Sequence, residues 1–307
     1  MRKIFDWCML KARRIAGALS GFLPKQEFLL KVRKRVWRAA LVLGMLLLMC
    51  PVLFSHSMYT SGFSASDFTY TGTYTFEQEA GTSNWKLKFT SSGTFKPKVP
   101  ITVDIFIVGG GSGGNAGGAG TATNAGGGGG GGLTGTWSNI TLPANTDPGY
   151  SIVVGAGGTG AATYGGVGGT SSAFGYSKAG GSTRTSAAYT GNAGGSGGGG
   201  ATAGGAAGGS DGSAGNGAQA GTGQGSTTRE FGEAGATLYA GGGGSGGGAG
   251  GAGGGANGGA QGSAGVGGTA AANTGGGGGG GGGKSGSSNL TNGGAGGSGI
   301  CIIRNHR

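Results

Sequence analysis

Between Gly109 and Gly299 the chain carries 80 of its 87 glycines in 191 residues, about two in every five positions. A stretch so poor in side chains cannot bury an ordinary apolar core. Two outcomes are open to it. The tract can stay a solvated coil of the kind found in linkers. It can instead order as left-handed polyglycine helices of the polyproline II type, with three residues per turn, about 3.1 Å rise and no internal hydrogen bonds. Such a helix is unstable alone. Fixing the backbone costs roughly 1–2 kcal/mol per residue, and most for glycine, so many helices must lie side by side and exchange N–H···O=C bonds. Only glycine permits that spacing, because a Cβ would hold the backbones apart.

The order of the other residues favours the bundle over the coil. Taking every third position from Gly241 to Gly268, nine of ten are glycine, Ala256 being the exception. Shorter runs in register are Gly111, Gly114, Gly117, Gly120 and Gly191, Gly194, Gly197, Gly200. Collagen is excluded, since no Gly-X-Y repeat is sustained and six prolines in the whole chain are too few.

Residues 1–57 are a different kind of sequence. They hold 11 Lys and Arg against two acids, whereas residues 58–307 hold 10 against 8, so most of the +11 net charge belongs to this leader. A nucleic-acid partner would need the charge on the folded body with aromatics among it, and none is expected. In the leader Ile4, Cys8, Ala12, Ile15 and Leu19 recur at helical spacing until Pro24. A basic cluster from Lys31 to Arg38 precedes sixteen uncharged residues, Ala39 to Phe54. Positive charge followed by an apolar run reads as membrane targeting with the amino terminus cytoplasmic. The length lies between a signal-peptide core and a spanning helix, so a signal anchor, a cleaved signal and an upstream start with Met58 as the true beginning all stay open.

From Asp67 the pattern turns to strands. Phe68, Tyr70, Tyr74 and Phe76 share one parity, with Gly72 interrupting. Trp85, Leu87 and Phe89 alternate with lysines, and Ile101 to Val108 is apolar on one face and nearly so on the other, as a central strand is. Apolar islands then recur at 133–154, 226–240 and 300–307. With residues 58–108 they make up the size of one sandwich. The expected fold is therefore mainly β: a discontinuous antiparallel β-sandwich whose strands bracket a polyglycine II bundle over 109–299, behind a helical leader. The last strand should return to the sheet after the whole tract.

Two glycine motifs match familiar patterns without their context. Gly109-Gly110-Gly111-Ser112-Gly113-Gly114 has the G-x-G-x-x-G spacing after a strand, but no helix can follow and no acid lies in Asn115–Gly132. Gly278 to Ser285 spells a P-loop with no strand before it or helix after it. Two histidines and three cysteines, in unlike contexts, form no catalytic or metal constellation, so neither an enzyme nor a cofactor is expected. Cys301 alternates with apolar neighbours and reads as a small buried hydrophobe.

Two groups remain. Arg229, Glu230 and Glu233 form a dense charge cluster, read as an ion-paired turn. Tyr164, Phe174, Tyr176, Lys178, Arg184 and Tyr189 gather where glycine thins; aromatics with Arg on exposed loops suit recognition of sugars or protein surfaces, and capping of the glycine helices is the competing role.

Taken in order, Phe68-Thr69-Tyr70-Thr71-Gly72, Asn84 to Phe89, Ser92 to Phe95, Val103 to Gly111, Tyr150 to Gly158, Thr228 to Glu233, Leu238 to Gly241 and Gly296 to Arg304 resemble the glycine-rich domain proteins of bacteriophages, prophages and bacteria, often tail or tail-fibre components. The layout is also similar to the extracellular glycine-rich region of the anaplastic lymphoma kinase receptor, in which polyglycine helices are inserted into a tumour-necrosis-factor-like sandwich. The resemblance implies a rigid non-catalytic platform whose aromatic and basic loops touch a host cell-surface receptor, glycan or protein, beside other tail or virion proteins. The leader departs from it, since phage tail proteins carry no secretion signal. A bacterial surface protein anchored through residues 39–54, an ice-binding face and an unstructured spacer are the alternatives.

Overall fold

A computed structural model describes residues 62–120, 124–184, 189–201, 205–258, 260, 265–285 and 291–307. The expected leader helix and the apolar segment 39–54 lie outside the described residues. Among the described residues no helix is long and apolar enough to cross a membrane. Among the described residues the helical pieces are two 3-10 turns, Ala65–Asp67 and Glu230–Gly232, and the rest of the regular structure is β.

In chain order the strands are β1 (Phe68–Tyr70), β2 (Tyr74–Gln78), β3 (Trp85–Phe89), β4 (Gly93–Pro97), β5 (Ile101–Val108), β6 (Ala119–Gly120), β7 (Thr134–Leu142), β8 (Tyr150–Val153), β9 (Ser171–Ala173), β10 (Tyr176–Lys178), β11 (Lys284–Ser285) and β12 (Ile300–Asn305). Two five-stranded sheets result, in the orders β1-β4-β8-β9-β10 and β2-β3-β12-β5-β7, with every pairing antiparallel. A two-stranded parallel pair, β6 with β11, lies apart.

The run from Phe68 to Phe76 is not one strand. It breaks at Gly72 and its halves join different sheets, β1 and β2. Gly72 and Gly93 cross there so closely that a Cβ on Gly93 would meet the Gly72 nitrogen at 2.6 Å. Alternation then sends Phe68, Leu87, Phe89, Phe95, Ile105, Ile152, Cys301 and Ile303 into one apolar core fed by both sheets. Cys301 is fully buried there, which pushes its thiol up to about 12 by desolvation.

β5 and β12 are buried on both faces. Their second face carries Phe106, Val108, Ile300 and Ile302, which pack on Phe231, Tyr239 and Ala240. The segment 226–240, expected to supply a strand, instead covers the sheet through a 3-10 turn and a single bridge between Arg229 and Leu238. Phe231, at φ 53°, turns its ring inward to serve as a lid on the sheet rather than a rung of it.

The last strand does return. β12 enters between β3 and β5, with Ile300 opposite Val108 and Cys301 opposite Phe89, so the glycine tract leaves the sheet and re-enters it on adjacent strands.

Within the tract the backbone hydrogen bonds repeat every third residue. Gly109, Ser112 and Asn115 donate to the carbonyls of Leu133, Gly130 and Gly127; Gly110, Gly113 and Ala116 to those of Gly169, Gly166 and Thr163; Gly111, Gly114 and Gly117 to those of Gly297, Gly294 and Thr291, all at 2.8 to 3.0 Å. One segment is thus bonded to three neighbours, one for each phase. The segment 277–282 repeats the pattern: Gly277 and Gly280 reach Gly241 and Gly244, Gly278 and Gly281 reach Ser112 and Asn115, Gly279 and Gly282 reach Gly268 and Gly265. Gly126–Gly132 and Gly275–Gly283 are buried, although they carry no side chain to bury. Peptide groups, not methyl groups, fill this interior.

Candidate functional site

The six aromatic and basic residues singled out above fall at two separate places. Phe174, Tyr176 and Lys178 belong to the β9–β10 hairpin at the edge of the first sheet. Its two-residue turn is Phe174-Gly175, with φ of 54° and 86°. The Phe174 ring packs edge-on to Phe95, at 5.9 Å between centroids, and tilted against Tyr150 at 5.3 Å. Tyr176 lies 4.7 Å from Trp137 of β7, and the Lys178 ammonium sits 5.5 Å over the same indole. These three were expected on loops; the structure puts them on strands and a tight turn, with the rings of Phe174 and Tyr176 half-buried against the core. The sequence cue that could have shown this is Phe174-Gly175 between two short alternating runs, a hairpin turn signal.

Tyr164, Arg184 and Tyr189 sit away from the sheets, by the outer part of the segment 109–118. The chain runs outward from β5 through 109–118 and returns through 124–133 to β7, so residues 118 and 124 mark the end remote from the sheets. Tyr189 lies directly over Gly118, where any Cβ would strike its hydroxyl and ring. Tyr164 follows Thr163, whose carbonyl accepts from Ala116, and precedes Gly165, whose N–H donates to Asn115 Oδ1 at 3.0 Å. The Arg184 N–H donates to Asn192 Oδ1 at 3.2 Å and its Nε to the Gly191 carbonyl at 3.2 Å. Arg184 and Tyr189 are exposed and Tyr164 is half-exposed.

Beneath this end lie two side chains not foreseen from the sequence, Asn115 and Asn192, both fully buried. Asn192 Nδ2 donates to the Gly113 carbonyl at 3.1 Å and to Asn115 Oδ1 at 3.4 Å, and Asn115 Nδ2 donates to the Thr190 carbonyl at 3.2 Å. A buried amide held in this way fixes the register of the segments it bridges, and so the place of the residues above it. The cue was an asparagine inside a glycine run, where a carboxamide can substitute for a peptide group.

The charge cluster is also laid out. Glu230 pairs with Lys86 and accepts from the Tyr239 hydroxyl at 3.2 Å, Glu233 pairs with Arg304 at 2.6 Å, and Arg229 pairs with Asp211 at 3.0 Å. Arg304 lies 4.1 Å over the Phe231 ring and reaches Asp104 at 3.3 Å. Asp104 sits at the β-bulge between β5 and β7, accepts the Asn139 N–H at 3.1 Å and lies 2.7 Å from His306 Nδ1. Burial alone would push its carboxyl up; the hydrogen bonds from His306, Asn139 and Arg304 outweigh that and hold it below its ordinary value. Tyr239 is pushed upward, by burial first and then by the charge of Glu230. These ions bind the 226–240 cover to the sheet.

The N–H groups of Gly109–Gly114 and of Gly278–Gly282 are all taken within the protein. Those of Gly109–Gly114 donate to Leu133, Gly169, Gly297, Gly130, Gly166 and Gly294, and those of Gly278–Gly282 all go to other segments of the tract. Among the described residues no three His, Cys, Asp or Glu side chains converge as metal ligands would. What the glycine repeat builds is a set of segments hydrogen-bonded to one another. The glycine-rich domain family matches residues 90–306, more than half of the chain. The chain belongs to this family. A search of curated proteins finds no match to it. The glycine-rich domain takes in strands β4 to β12 and the whole tract, and leaves β1 to β3 outside the matched range.

Proposed function

We propose that this chain is a non-catalytic platform and adhesion module, with its glycine tract folded as a bundle of polyglycine II helices on a tumour-necrosis-factor-like sandwich. The observation that carries the reading is the three-residue hydrogen-bond period, in which successive N–H groups of one segment go to three different neighbours. A linker has no such bonding, and an extended strand bonds to two neighbours at a period of two. A bundle of this kind is stiff, and stiffness is what an adhesin needs to hold loops clear of its body at low entropic cost. Tyr164, Arg184 and Tyr189 are the residues assigned to receptor contact, with the amides of Asn115 and Asn192 positioning them.

The setting that fits best is a phage or prophage tail, with the domain beside other tail proteins and its remote end toward a host cell-surface receptor, glycan or protein. The test is to purify particles from the source organism after prophage induction and to look for the chain by mass spectrometry. Its presence, with adsorption to host cells reduced by Arg184→Ala combined with Tyr189→Ala, supports the proposal; particles that lack it, or that adsorb equally well with the double variant, overturn it. The basic cluster 31–38 followed by the uncharged 39–54 favours a second reading, a bacterial surface protein anchored by that segment with the glycine-rich domain outside. Fractionation separates the two: full-length chain in the membrane pellet supports the anchor, and soluble full-length chain removes it.

A further inference from the structure

Three Asn-Gly pairs lie among the described residues: Asn216-Gly217, Asn257-Gly258 and Asn292-Gly293. In such a pair the second residue has no Cβ to shield its nitrogen, so the asparagine carboxamide can close on it. Two of the three are locked into the tract. The Gly258 N–H donates to the Gly248 carbonyl at 2.9 Å, and Asn257 Oδ1 is itself held by the Gly250 N–H at 2.9 Å. The Gly293 N–H donates to the Ala161 carbonyl at 3.1 Å, while the Asn292 carbonyl accepts from the Gly267 N–H at 2.9 Å. Asn216-Gly217 differs. It opens an exposed turn over residues 216–219. The Asn216 N–H is anchored to the Ala207 carbonyl at 2.8 Å, but neither the Asn216 carboxamide nor the Gly217 N–H has a partner among the described residues, and Gly217 stands at φ 122°.

We propose that Asn216 is a self-modification site, at which the chain converts this asparagine to isoaspartate and aspartate without an enzyme. The Gly217 nitrogen gives up its proton to a solvent base and attacks Cγ of Asn216. A C–N bond forms, ammonia leaves, and a five-membered succinimide ring joins the two residues. Water then opens the ring. Hydrolysis at Cγ restores the ordinary backbone with an aspartate side chain; hydrolysis at the backbone carbonyl leaves the chain running through the side chain, as isoaspartate. The sum is one water in and one ammonia out, with nothing oxidised or reduced. The fold selects among the three pairs because the attacking nitrogen must be free to turn toward Cγ. A nitrogen that donates to a carbonyl inside the tract has to break that bond first, through local opening. The place of the product matters too. Gln219, in the same turn, accepts the Gly191 N–H at 2.9 Å and lies 3.4 Å from Thr190 Oγ1, and the Gly191 carbonyl also holds Arg184. Asp211, the one acid between residues 189 and 225, is paired with Arg229 of the cover. Conversion of Asn216 therefore gives the turn beside Thr190 and Gly191 its first negative charge. The chemistry uses none of the contacts assigned to Tyr164, Arg184 and Tyr189, so the inference stands apart from the adhesion proposal.

The test is to hold the purified full chain at mildly alkaline pH and body temperature for several weeks, beside a sample kept in guanidinium chloride, and to follow each Asn-Gly pair by peptide mapping with electron-transfer fragmentation. In the folded chain Asn216 is expected to exchange its NH₂ for OH, and to accept methyl groups from an isoaspartyl methyltransferase, roughly tenfold or more faster than Asn257 or Asn292. That ratio corresponds to about 1.4 kcal/mol of local opening at the two bonded pairs. In the denaturant the three rates should converge. Asn216→Gln, whose longer side chain can close only a six-membered ring, should stay unmodified at that position at an unchanged melting temperature. An intact Asn216 in the folded chain once the denatured sample has reacted, folded-state rates at Asn257 or Asn292 that equal the rate at Asn216, or undiminished methyl acceptance by Asn216→Gln overturns the assignment.

Discussion

Gly114 holds its place in the tract because of what lies beside it. A Cβ there would come within 3.0 Å of the Gly279 carbonyl oxygen, which is backbone and cannot swing away. Gly111 meets Gly276 in the same way three residues earlier, and Gly117 meets Gly282 three residues later. Gly114→Ala must therefore push two segments apart, at a cost of roughly 1–3 kcal/mol. In a chain of this size the melting temperature is expected to fall by about 2–4 °C per kcal/mol, which a calorimetric melt of the full chain reads directly. An unchanged melt would mean that the bundle does not take part in the main unfolding transition. Phasing in the sequence pointed to Gly111, Gly114 and Gly117, but the pairing of each with its partner was not legible, because glycines are alike and the bonds span up to 186 residues. Asn115 and Asn192 escaped notice for the opposite reason: carboxamides in a polar tract are ordinarily at the surface, and here they stand in for peptide groups. Asp104 adds a pH dependence. Folding favours its charged form, so its contribution is complete above the unfolded value of about 3.9 and is lost as pH falls through the lower folded value. Asp104→Asn should cost about 3 kcal/mol at pH 7 by leaving the buried Arg304 with one carboxylate instead of two, and should flatten the acid limb of stability against pH. An acid limb unaltered in the variant would place the titrating group elsewhere.

Among the elements, the ones legible in the sequence were those whose alternation faces a single core. Trp85, Leu87 and Phe89 read correctly as β3, and Ile101 to Val108 as a central strand, because one parity is large and apolar. The β9–β10 hairpin was missed: its inward positions are Ser171 and Ala173, too small to mark a strand, and its large ring comes at the turn. The interruption at Gly72 was legible, but the change of sheet between β1 and β2 was hidden, since the parity of the aromatics runs on across it. The 226–240 island has the apolar residues of a strand but uses them as a cover. The element on which the rest depends is β12, flanked by β3 and β5 and buried on both faces. Its amides from Cys301 to Arg304 should exchange with deuterium among the slowest in the protein, and a chain ending at Gly299 should lose cooperative unfolding. Fast exchange there would show that the sheet forms without its last strand.

For the molecule as a whole, two kinds of interior coexist. The sheets enclose aromatic and aliphatic side chains, and the tract encloses peptide groups. Unfolding exposes both; apolar exposure raises the heat capacity and polar exposure lowers it. The full chain is therefore expected to show a heat-capacity increment below the usual value of roughly 12–15 cal/mol/K per residue, measured by differential scanning calorimetry. A value within that range would mean that the tract contributes no ordered interior to the transition. The separation of tract from strands was legible, because glycine content marks it; which end of the tract would carry which aromatic was not, since that depends on where each segment turns.

Val108 and Ile300 are opposite one another across a single antiparallel rung, and the chain between them comes back to the sheets at β7 and at β8 to β10 before β12 closes the frame. Each glycine-rich excursion between those strands is therefore a cassette. Turns at its remote end can lengthen, shorten or be exchanged between related chains while the sheets keep every rung, which lets recognition diversify quickly on an unaltered frame.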